Sequence, residues 1–85
     1  MDMWKLVLDE AAFQFLLSLP SGDRRRLLGA FEALRSNPHR QPDYFAKDST
    51  GRTLSVWAAR PFLITYWLDS FVSELRVVNI ERVKF

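Results

Sequence analysis

The side chains able to do chemistry in this sequence are mostly cationic and aromatic. Nine arginines stand against three lysines, and the planar fork of arginine grips phosphates and carboxylates through paired hydrogen bonds. That bias suits a nucleic-acid or acidic-protein partner; GC-rich coding produces it as well. Arg52, Arg60, Arg76, Arg82 and Lys84 fall in a region that reads as strands, among Trp57, Phe62, Tyr66, Trp67 and Phe71. On an unbroken strand Arg76, Arg82 and Lys84 share parity and therefore a face. Such a face is either a phosphate-binding groove or an ordinary solvated surface relieved by Asp69, Glu74 and Glu81. Other chemistries lack their parts. With no cysteine there is no disulfide, thiolate metal site or cysteine nucleophile. His39 is the one histidine, which leaves no basis for a zinc site or a Ser–His pair. Gly22, Gly29 and Gly51 are too dispersed for a phosphate loop. Asp43, Asp48, Glu74 and Glu81 show no spacing that specifies paired acid–base work, so neither a metal nor a cofactor is expected.

Two further clusters have both a bland and a functional reading. Arg24, Arg25 and Arg26 open a helix, where positive charge opposes the dipole; they form either a solvated face or a contact for RNA or an acidic partner. Tyr66 and Trp67 have opposite parity on one strand, so a sheet covered on one side must carry one of them on its open side. There it stacks a base or anchors a protein partner.

The elements that must position these groups follow from periodicity. Residues 3–8 alternate, with Trp4, Leu6 and Leu8 on one face and Lys5 and Val7 on the other, the pattern of a half-buried strand. Asp9 offers an N-cap, and Ala12, Phe13, Leu16 and Leu19 fall on one face of a first helix that Pro20 stops. Ser21 offers a second N-cap for a helix over 23–36, with Leu27, Leu28, Phe31 and Leu34 as its apolar stripe; Asn37-Pro38 closes it. Segment 38–51 reads as loop. Beyond it RTLSVW, FLITYWLD and ELRVVNIERV read as three strands joined by tight turns, an antiparallel meander. The expected fold is α+β, in the order β-α-α-β-β-β, with a helical hairpin on one face of a small, mostly antiparallel sheet. The 85 residues, 48% hydrophobic, hold one small core and are expected to form a single domain over 1–85. No apolar run is long enough to span a membrane and the N-terminus lacks the layout of a signal peptide, so the cytoplasm is the expected compartment.

This order resembles the RelE/ParE superfamily of toxins from bacterial toxin–antitoxin modules, and the resemblance covers nearly the whole chain. The stretch DEAAFQFLLSLP looks like the family's first helix and LRSNP like the close of its second. LITYWLD looks like the central meander strand, and LRVVNIERV like the last strand. The resemblance implies a toxin neutralised by a cognate antitoxin, with DNA met only through the antitoxin complex. RelE-type members are ribosome-dependent endoribonucleases that cut the messenger by attack of a 2′-hydroxyl on the neighbouring phosphate. That reaction needs cations on the developing phosphorane and acid–base partners for two oxygens. ParE-type members share the fold and inhibit gyrase without a nuclease site.

Carried over by position, the resemblance implies catalytic roles for Arg52 and Arg82; Arg60, at the hairpin tip and not at a family position, reaches towards the same groove and completes the expected catalytic set. RNA contacts would come from Lys47, Arg76, Lys84 and Tyr44, and antitoxin docking from Trp57 and Trp67. The chain departs from the nuclease pattern at Leu63, where an arginine is usual three residues before Tyr66. It departs again at Phe85, where a tyrosine often stands, and His39 is not where the family keeps its histidine. The nuclease, the non-nuclease toxin and a degenerate toxin that only binds its antitoxin therefore all remain open readings.

Overall fold

Alternating residues Lys5–Leu8 form a four-residue strand, β1, and the chain passes directly into helix α1, Glu10–Ser18. The computed structural model describes residues 4–84; Met3, the start of the expected first strand, and Phe85 lie outside the described residues. Helix α2 spans Ser21–Ser36, and four strands follow: β2 Tyr44–Lys47, β3 Thr53–Ala59, β4 Phe62–Asp69 and β5 Glu74–Arg82. They form one mixed sheet in the order β1-β5-β4-β3-β2. β1 runs parallel to β5 and every other pair is antiparallel. Both helices pack on one face of it.

The main departure from expectation is β2, which occupies what reads as loop. Four residues are too few to show a period. They become a strand because β3 offers a free edge of backbone hydrogen-bonding groups, which β2 satisfies. The caps also differ. Asp9 precedes α1 but makes no side-chain cap bond; its carboxylate lies 3.5 Å from Arg76 instead. Pro20, not Ser21, is the N-cap of α2, and Ser21 is already helical. Proline before the first turn sacrifices no donor the helix needs.

Ala12, Leu16 and Leu19 of the first helical segment and Leu27, Phe31 and Leu34 of α2 point into the core. They meet Phe62, Ile64 and Tyr66 of β4 and Leu75, Val77 and Ile80 of β5. Phe13 and Leu28, both expected in the apolar stripes, are instead about half exposed. Each lies about 100° around its helix from a buried neighbour, Ala12 and Leu27, and so falls on the flank. Among the described residues, no helix is long and apolar enough to cross a membrane.

One irregularity decides which charged residues can meet. Thr65 pairs with Asn79 and Tyr66 with Val77, so Val78 has no residue opposite it and β5 is bulged there. A bulge shifts the alternation by one. Before it Leu75 and Val77 face the helices; after it Ile80 and Arg82 do. Arg76 and Arg82, of equal parity in the sequence, therefore lie on opposite faces of the sheet.

Candidate functional site

The face of the sheet away from the helices carries the odd residues of β4, Leu63, Thr65 and Trp67, because Phe62, Ile64 and Tyr66 turn inward. Across β4 and β5, Trp67 stands directly opposite Arg76, which in turn stands opposite Val7 of β1. A second row runs from Tyr44 through Val56 and Thr65 to Asn79. Leu54 and Val56 give this open face a buried apolar floor. On it the Trp67 indole sits between two guanidinium groups. Arg52 lies 4.0 Å from the ring centroid and Arg76 5.9 Å, distances at which a cation is attracted by the ring quadrupole.

The two arginines are electrostatically unequal. Arg76 donates to Glu74 at 2.8 Å and pairs with Asp9 at 3.5 Å, so its charge is largely balanced. Among the described residues no carboxylate lies within ion-pair distance of Arg52; the Asp48 carboxylate, whose pKa the Arg52 charge helps to lower, acts on it from further away, so the guanidinium is less fully balanced than that of Arg76. Beside it Lys47 Nζ donates to Thr53 Oγ1 at 3.1 Å, both on the helix-side face at the sheet edge. Tyr44 stays half exposed on the open face. The other tyrosine, Tyr66, is seated in the core; burial pushes its phenol above the ordinary value of 10.0, so it holds its proton at neutral pH.

The structure divides the expected catalytic trio. Arg52 and Arg60 bracket β3, about 26 Å apart at the rise of an extended strand. Arg60 lies in the β3–β4 turn, next to the end of β5, where the Val83 amide donates to the Pro61 carbonyl at 2.9 Å. Arg82 is at that same end but on the helix side, donating to Asp23 of α2 at 3.1 Å with its guanidinium 5.6 Å from the Phe62 ring. Lys84 follows it, exposed. A single basic face through Arg52, Arg60, Arg76, Arg82 and Lys84 is thus not formed. There is a stack of Arg52, Trp67 and Arg76 at one end of the sheet, and Arg60, Arg82 and Lys84 gather at the other.

The two tryptophans also separate. Trp67 is on the open face. Trp57 pairs with Ile64, faces the helices and packs, partly buried, against the core, with Arg40 across its ring at 4.3 Å. Two arginines have roles that sequence alone does not show. Arg24 folds back to donate to the Leu17 and Leu19 carbonyls at 3.3 and 2.9 Å. Arg40 donates to the Ala33 carbonyl at 2.9 Å. Each supplies donors to carbonyls left unpaired at a helix C-terminus, where positive charge also meets the dipole favourably. Arg24, which opposes the dipole of its own helix, serves the end of the preceding one.

Asp48 orders the turn that leads to Arg52. Its Oδ1 accepts from the Thr50 amide at 2.9 Å, the Thr50 hydroxyl at 2.6 Å and the Arg52 amide at 2.9 Å. Hydrogen bonding, led by that of Thr50, holds the carboxyl below its ordinary value of 3.8. A carboxylate with a lowered folded value contributes stability that is complete above the ordinary value and is lost as pH falls through the folded one. The turn is therefore expected to hold throughout the neutral and mildly acidic range. The amide shifts of Thr50 and Arg52, followed by NMR, should titrate together with a midpoint below 3.8; a midpoint at or above it would contradict the geometry.

The result is a helical hairpin on one face of a mixed five-stranded sheet, with the opposite face open. No family model matches the sequence, and no curated protein is significantly similar to it. Solved structures are similar in shape over nearly the whole chain. The RelBE2 toxin–antitoxin complex of Mycobacterium tuberculosis matches with a TM-score of 0.76 at 14% identity, covering 95% of this chain and 99% of the other. The archaeal RelE–RelB complex of Pyrococcus horikoshii matches at 0.72 and 13%, covering 95% and 96%. The isolated RelE toxin of E. coli matches at 0.64 and 17%, covering 96% and 86%. The chain has the RelE toxin fold.

Proposed function

We propose that this protein is the toxin of a toxin–antitoxin module, a single-domain RelE-like protein that acts in the cytoplasm on translation and is neutralised by a cognate antitoxin. The observation that carries this reading is the near end-to-end fold match to toxins solved with their antitoxins. The open sheet face supports an RNA-facing role: an arginine with no carboxylate at ion-pair distance, an indole and an exposed tyrosine over an apolar floor suit phosphate and base contact. Arg52, Trp67, Arg76 and Tyr44 are the residues proposed to meet RNA there, with Lys47 at its edge. Arg60, Arg82 and Lys84 form a second basic group at the far end, and DNA is met only through the antitoxin complex. Phe13, Leu17 and Leu28, exposed apolar residues on the two helices, suit the docking of an antitoxin segment. Induced expression should arrest growth and be relieved by the antitoxin. Purified protein added to translating ribosomes should cut the messenger; intact messenger with no growth arrest would refute the proposal.

A second reading, a toxin that inhibits gyrase or another protein without cutting RNA, is favoured by one observation. The three arginines expected to catalyse do not converge, and Leu63 stands on the open face where an arginine is usual. It predicts growth arrest with intact messenger and loss of supercoiling by gyrase. An antitoxin-binding domain without toxicity would give neither.

A further inference from the structure

We infer that Asp48 is the positioning residue for Arg52: by fixing the β2–β3 turn it delivers the Arg52 guanidinium onto the face of Trp67. One carboxylate oxygen accepts the amide of the very residue whose side chain covers the indole, together with both donors of Thr50. The backbone closes the same turn. The Asp48 amide donates to the Arg52 carbonyl and the Gly51 amide to the Asp48 carbonyl, each at 3.0 Å. Gly51 takes the left-handed conformation, φ 86°, that the reversal requires. With the Arg52 backbone held this way, strand alternation points its side chain to the face that carries Leu54 and Trp67. An exposed cation–π contact gains less than the rotamer freedom an arginine gives up. The stack therefore depends on a backbone fixed in advance, and Asp48 is what fixes it.

The placement of Arg52 is independent of any function; its consequence for RNA binding rests on the reading above. In the intact chain, NMR should show the Arg52 side-chain protons shifted upfield by the indole ring current. Asp48→Ala should return them to the shifts of an unstacked arginine, while Asp48→Asn, which keeps the acceptor oxygen, should stay close to the parent. Unchanged shifts in Asp48→Ala, or an equal loss in Asp48→Asn, would overturn the proposal. A thermal melt of each variant separates this from general unfolding. The second arm uses a labelled single-stranded RNA oligonucleotide. Asp48→Ala and Arg52→Ala should each weaken binding roughly tenfold, the worth of one charge-assisted hydrogen bond, and the double variant should weaken it no further. Additive losses would overturn the proposal. No binding by the parent protein would instead reject the RNA-facing reading, and the NMR arm would still decide the role of Asp48.

Discussion

Replacing Phe31 with alanine is expected to remove about 3–5 kcal/mol of folding stability, the usual cost of emptying a buried phenylalanine site. Phe31 is 1% exposed and belongs to the cluster where α2 meets the sheet. At nine residues α1 is too short to be stable alone, and helical stability in proteins comes mostly from packing of the apolar face, so both helices depend on this contact. A domain of this size has about 5–15 kcal/mol in total, and the thermal midpoint should fall by roughly 15 °C or more. Phe13 supplies the control. It sits in an equally convincing apolar stripe of the sequence but is 45% exposed, so Phe13→Ala should cost far less. Chemical denaturation of the two variants, with unchanged slopes, distinguishes them directly. Equal losses would mean that α1 is rotated relative to the structure described.

The second large effect concerns the two ends of the sheet. Arg52→Glu replaces a cation of the open face that has no carboxylate at ion-pair distance with an anion beside Trp67. Binding of single-stranded RNA is expected to fall on the order of a hundredfold, because a favourable contact is lost and like charges are brought together. Arg82→Glu should behave differently. It breaks an exposed pair with Asp23 that contributes at most about 1 kcal/mol and sets two carboxylates together on the helix side. Its first effect should be a modest loss of stability, with RNA affinity changed much less than by Arg52→Glu. Filter binding at two salt concentrations, with thermal melts alongside, reads both quantities. If Arg82→Glu proved the more damaging to binding, the interface would lie at the far end of the sheet.

The strands and helices with long periodic stretches were legible in the sequence. FLITYWLD is a strand because its even residues have a core to enter, and the helical stripes found Ala12, Leu16, Leu27, Phe31 and Leu34 correctly. The opposite parity of Tyr66 and Trp67 correctly required one aromatic on each face. Less was legible where geometry depends on a distant partner. β2 is a strand only because β3 has an edge to fill, and Trp57 turns inward only because its place opposite Ile64 is on the helix side.

The arginines show the same division most sharply. The sequence by itself determined that thiol chemistry and a glycine-rich loop lack their parts, because composition excludes chemistries whatever the fold, and left guanidinium groups and aromatic rings as the candidates. It also determined the α+β class and the order of every element except β2, since periodicity is a local property. The tertiary structure decided what each arginine does. Arg24 and Arg40 supply donors to helix ends, Arg76 is balanced by two carboxylates, Arg82 crosses to α2, and Arg52 lies on the indole with no carboxylate at ion-pair distance. A single unpaired residue, Val78, makes part of that difference: one extra residue in a strand reverses every side chain beyond it. Nothing local in the sequence marks a bulge, because the strand it bends against is brought there only by folding.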